Sequence, residues 1–209
     1  AIELNPRYAL AYNNRGSAYL KVQDYRKAVD DYDKAIQYDD KDAMMYYNRS
    51  VANAMLENYR KVISDCDKAI DLDNKYALAY TNRGNANKKL GNYAQAVKDY
   101  DKAIDLNPKD MIAYFNRGLS HSMLGNYDQA IKDYDKFIES DSKDAVAYYN
   151  RGIAYSSSGN YRQAIKDFDR AIELNPKSVE AYYSRGIAHV RLSDNEQVVN
   201  SFNKVIELN

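Results

Sequence analysis

Residues 147–180 read AYYNRGIAYSSSGNYRQAIKDFDRAIELNPKSVE, and the spacing of their apolar residues decides the fold. Tyr148, Gly152, Ala154 and Tyr155 mark the buried stripe of one helix. Gly159, Asn160 and Tyr161 turn the chain, and Ala164, Ile165, Phe168, Ala171 and Ile172 form the stripe of a second helix, which Asn175-Pro176 ends. Two short helices joined by so few residues must lie antiparallel. The same text returns along the chain. Tyr12, Tyr46, Tyr80, Tyr114, Tyr148 and Tyr182 stand 34 residues apart each time, each followed one residue later by Asn-Arg-Gly or a close variant, Asn-Arg-Ser at 48–50 and Ser-Arg-Gly at 184–186. A fixed period of this length predicts an all-α stack of helical hairpins whose stability is summed between neighbours. Function then belongs on surfaces rather than in one central pocket.

The unit resembles the tetratricopeptide repeat, whose signature sets an aromatic, a Gly, a second aromatic, then Ala, an aromatic, Ala and Pro at fixed offsets. Five full copies run 11–44, 45–78, 79–112, 113–146 and 147–180, with an incomplete sixth at 181–209 and the tail of a preceding copy at 1–10. The resemblance implies a single array, 1–209, forming a right-handed superhelical solenoid whose first helices line a concave groove. Departures are local. Phe137 replaces the small residue at Ala35, Ala69, Ala103 and Ala171, so that crossing must open or repack. The sixth copy has Asn195 in the column of Tyr161 and Val198 in that of Ala164, and Phe202 and Ile206 are expected to face water. The opening Ala-Ile-Glu-Leu-Asn-Pro repeats the text at 171–176, and the last residues stop at the same point of the unit, as an excised piece of a longer array would.

Composition excludes several functions. Thirty basic and thirty acidic residues cancel, which gives no net attraction to nucleic acid or anionic membrane. No apolar run approaches the length of a membrane span. The one cysteine, Cys66, permits no internal disulfide and favours a reduced, cytoplasmic setting. His121 and His189 fall on the buried stripe without a second ligand at metal spacing, and Cys66 takes a core column otherwise held by Tyr32, Tyr100 and Tyr134. No phosphate loop, zinc pairing or nucleophile elbow is present, so neither cofactor nor metal nor catalysis is expected.

Two columns remain. Asn14, Asn48, Asn82, Asn116 and Asn150, with Ser184 in sixth place, fall away from the buried stripe and are expected to project into the groove. A primary amide offers donor and acceptor together and matches a peptide bond, or it can bond an adjacent helix instead. The first use resembles that of asparagine-ladder peptide-binding arrays. A few such bonds imply affinity on the order of micromolar or weaker. Around the column lie Tyr47, Phe115, Leu119, Tyr149, Ile153, Tyr183 and Ile187, suited to apolar side chains, while Lys21, Lys88 and Lys89 suit acidic ones. The aromatics could equally be packing. The second column, Arg15, Arg49, Arg83, Arg117, Arg151 and Arg185, is expected to pair with the recurring acids of the second helices, Asp31 to Asp167 and Asp33 to Asp169. The leading expectation is a non-enzymatic module binding an extended protein or peptide segment. The alternatives are a scaffold associating head to tail, and the substrate-recruiting arm of a larger enzyme.

Overall fold

The computed structural model describes residues 5–208, so the readings placed on residues 1–4 and on Asn209 lie outside the described residues. Among the described residues every regular element is an α-helix, in successive antiparallel pairs: α1 (Ala9–Lys21) with α2 (Tyr25–Tyr38), α3 (Ala43–Met55) with α4 (Tyr59–Leu72), α5 (Ala77–Lys89) with α6 (Tyr93–Leu106), α7 (Met111–Met123) with α8 (Tyr127–Ser140), α9 (Ala145–Ser157) with α10 (Tyr161–Leu174), and α11 (Val179–Arg191) with α12 (Asn195–Leu208). They group into two compact units, Ala1–Lys109 and Asp110–Asn209. In the first, α2 packs on α3 and α4 on α5; in the second, α8 packs on α9 and α10 on α11. None of the described helices is long and apolar enough to cross a membrane.

Four of the first helices begin, and all six end, for a local reason. Asp42, Asp110, Asp144 and Ser178 cap first helices by accepting a backbone N–H of the first turn. At the other end a residue with positive φ closes the helix, and the following Asn or Asp donates its N–H back to the carbonyl five residues earlier, as Asn92 does to Asn87 O at 2.8 Å and Asn160 to Tyr155 O at 2.8 Å. Gly91, Gly125 and Gly159 take this position at no steric cost, but Gln23, Glu57 and Ser193 take it too, at φ of 63°, 59° and 58°. Glu57→Gly is therefore expected to stabilise the first unit by up to about 1 kcal/mol, seen as a raised midpoint in urea.

Pair packing follows from one column of small residues. The rings of Tyr32, Tyr100, Tyr134 and Phe168 are fully buried and lie over Gly16, Gly84, Gly118 and Gly152, so closely that a methyl group at Gly152 would stand 2.7 Å from the Phe168 ring. The second copy departs in both partners at once. Ser50 stands in the glycine column and Cys66 in the ring column, both fully buried, so the smaller thiol leaves room for the larger hydroxymethyl group. Burial pushes the Cys66 thiol up to about 12, although a hydrogen bond with Ser50 pulls the other way. At pH 8 the thiolate is then on the order of one part in ten thousand, and labelling of Cys66 by a maleimide is expected to run at least a hundredfold slower than for the unfolded chain. Labelling at the unfolded rate would show that α3 and α4 separate readily.

Phe137 repacks as expected, laying its ring 5.0 Å from that of Phe115. At the end of the second unit Ile206 is 75 % exposed, whereas Phe202 is half-buried over Gly186 with its ring 5.7 Å from Tyr183. Phe202 thus faces water less than its position suggests.

Candidate functional site

The charges of the first and second helices are segregated. Helices α1, α3, α5, α7 and α9 contain no Asp or Glu, and α11 contains one, Glu180. Their arginines are spent inside the stack. Arg83 donates through Nε and Nη2 to Asp99 of its own pair, at 3.0 and 2.7 Å, and through Nη1 to Asp67 of the preceding pair. Arg49 does the same with Asp65 and Asp33, and Arg151 with Asp167 and Asp135. Arg15 forks onto Asp31 and Arg117 onto Asp133. Each guanidinium also lies over the ring three residues before it, Arg83 at 5.4 Å from the Tyr80 centroid. Burial opposes the charge on Arg83, and its hydrogen bonds to Asp99 and Asp67, with their charges, more than offset it, so its pKa is raised. In the sixth copy Arg185 keeps Asp169 and turns Nε to the Ser201 hydroxyl at 3.1 Å. The arginine column is structural, and the first unit's first helices also carry Lys21, Lys88 and Lys89. Burial, with Lys89 beside it, lowers the pKa of Lys88.

The asparagine column does two things. Asn14 is exposed, whereas Asn48, Asn82, Asn116 and Asn150 are half-buried. In the first unit Asn48 donates to Asn13 Oδ1 at 3.0 Å and Asn82 to Ser50 Oγ at 2.7 Å, each reaching the first helix of the preceding pair. In the second unit Asn150 donates to Val146 O of its own helix at 2.8 Å. Each of these bonds uses one of the two N–H groups an amide carries. The aromatics serve chiefly as packing: Phe115 and Leu119 lie against the Tyr134 cluster, Tyr149 and Ile153 against the Phe168 cluster, and the Tyr47 ring sits 5.1 Å from Tyr76. Ile187 is half-buried, and Tyr183 is 52 % exposed.

The first helices expose an apolar residue two positions before each of the first five signature tyrosines: Leu10, Met44 and Leu78 in the first unit, Ile112 and Val146 in the second. Asn53 and Asn87 are functional neighbours that the sequence reading did not single out. They donate to Asp65 and Asp99 at 3.2 and 3.0 Å and give those buried carboxylates a further partner. Their signal was the substitution of Asn for an aromatic in the column of Tyr19 and Tyr155. His121 and His189 share that column, and His189 Nδ1 lies 3.2 Å from Asp194.

Models of the tetratricopeptide repeat match residues 9–42, 77–110 and 145–178, and again 99–132 and 179–209, with a further TPR repeat match at 123–159. The chain belongs to the tetratricopeptide repeat family. Solved structures agree. This tetratricopeptide chain is 27 % identical to YrrB, described as a TPR protein with an unusual peptide-binding site, at a TM-score of 0.80 over 88 % of this chain and 95 % of that one. It is 26 % identical to MamA at a TM-score of 0.75, covering 82 % and 94 %. It also shares the fold of the C-terminal part of a TPR repeat-containing protein from Cytophaga hutchinsonii, at 21 % identity and a TM-score of 0.80, covering 93 % and 78 %. No curated protein sequence matches it. The tetratricopeptide fold is a scaffold for protein–protein interaction and is generally non-catalytic, and this chain has the helix pairs of that scaffold.

Proposed function

We propose that this tetratricopeptide chain binds an extended segment of a partner protein along the exposed faces of its first helices. One observation carries the reading. The recurring inner acids of the second helices, such as Asp65, Asp67, Asp99, Asp135 and Asp167, are matched to arginines within the stack, while the first helices present an apolar column flanked by the amides of Asn14, Asn48 and Asn82, and of Asn116 and Asn150, with almost no acid among them. An amide beside an apolar residue suits a peptide, whose backbone needs hydrogen bonds and whose side chains need burial. The peptide-binding site named for YrrB supports the same use of the fold. Lys21, Lys88 and Lys89 favour acidic side chains over the first unit.

The test is a selection from a random peptide library on the intact chain, beside an Asn82→Ala, Asn116→Ala, Asn150→Ala variant matched for helicity and stability. A motif that weakens about tenfold or more on the variant is expected. A motif bound alike by both forms would remove the amides from the site. A second reading, association between copies, is favoured by the exposure of Val199 and Ile206 on α12, where Ile165 and Ile172 of α10 are half-buried in the equivalent columns. Sedimentation showing a concentration-dependent mass that Ile206→Asp abolishes would support it.

A further inference from the structure

The second unit holds a cleft of about 240 Å3 between α9, α10 and the start of α11. Val146 and Tyr149 form its walls, Ala171 its floor, and Asn175, Ser178 and Glu180 its polar rim. Its floor belongs to a column held by Ala35, Ala69, Ala103 and Ala171 and filled by a ring at Phe137. The residue corresponding to Ala171 in the preceding pair is Phe137, whose ring packs against Phe115, the counterpart of Tyr149. Where α8 supplies a ring from within, α10 supplies only a methyl group, buried to 2 % exposure, and leaves a side-chain-sized space that opens on the first-helix face beside Val146. An apolar cavity of roughly 150 Å3 holds a benzene ring, so this one has room for an aromatic or branched aliphatic side chain. Glu180 is the sole charged residue lining it, the sole acid on any of the first helices, and exposed.

Resting on the peptide-binding reading, we propose that this cleft is a specificity pocket taking one apolar side chain of the bound segment, with a basic residue adjoining it to meet Glu180. An apolar side chain is satisfied by the walls and floor, and a neighbouring cation is drawn to the rim carboxylate and disfavours an acidic neighbour. The two units thereby read opposite charges, acidic residues over Lys88 and Lys89 and a basic one at Glu180.

The probe is a random twelve-residue peptide library, selected on the whole chain and on three variants. Ala171→Phe introduces the ring that Phe137 supplies next door. Val146→Lys changes a wall that is 57 % exposed. Glu180→Lys reverses the rim. Wild type is expected to enrich an apolar residue adjoining Lys or Arg; Ala171→Phe and Val146→Lys should each weaken such peptides about 10–100-fold, and Glu180→Lys should exchange the basic preference for an acidic one. Peptides bound equally by wild type and both filled or charged variants would overturn the pocket while leaving the first-helix site standing. Absence of any enrichment on wild type would overturn both.

Discussion

Asp99→Ala is expected to cost the first unit about 3 kcal/mol. The Asp99 side chain is 2 % exposed and accepts hydrogen bonds from Arg83 Nε and Nη2 and from Asn87. Its removal takes from the guanidinium, itself 18 % exposed, its hydrogen bonds from Nε and Nη2, and takes the Asn87 amide's bond to Asp99 as well. Arg83 keeps Asp67, which is why the loss stays at the low end of what breaking a buried pair costs. Hydrogen exchange should locate the damage in α5 and α6, because stability in a stack is shared between neighbours and need not fail all at once. Asp99→Asn keeps the shape and an acceptor and should fall between. If Asp99→Ala unfolds at the wild-type midpoint, the arginine column is decoration on a stack held by its rings and small residues alone.

Gly152→Ala is expected to destabilise the second unit by about 1–3 kcal/mol, in spite of the roughly 1 kcal/mol that alanine gains over glycine inside a helix. The added methyl would meet Phe168 at 2.7 and 2.9 Å, and that ring is enclosed on all sides. Gly186→Ala provides the internal comparison. Its methyl would meet Phe202 at 3.1 Å, a half-buried ring on α12 that has room to yield, so the same change there should be close to neutral. Thermal denaturation of the two variants separates the effects, and equal shifts would show that ring confinement is not what excludes a side chain.

The helix pairs were legible in the sequence because each depends on residues a fixed distance apart within one text. The glycine and ring columns lie 16 residues apart, as do Arg83 and Asp99, and this spacing survives any small rotation of the pairs. The site was legible only in part. Whether Asn48 and Asn82 reach outward or sideways depends on the rotation between neighbouring first helices, which no repeat length fixes; the structure turns both toward the first helix of the preceding pair, onto Asn13 and Ser50. Phe115 and Tyr149 share the first-helix side with the amides, yet their size lets them reach the second helices and pack there. The cleft over Ala171 is a volume difference between two adjoining copies. It becomes visible only when the ring of Phe137 is placed.

The most direct test of where a partner binds is amide chemical-shift mapping of the intact chain titrated with a peptide from the wild-type selection. The account predicts shifts concentrated on first-helix residues, Leu10, Asn14, Met44, Asn48, Leu78 and Asn82 in the first unit and Val146, Tyr149, Asn150 and Tyr183 in the second. Shifts confined to the second helices, or to the exposed face of α12 around Val199 and Ile206, would contradict it.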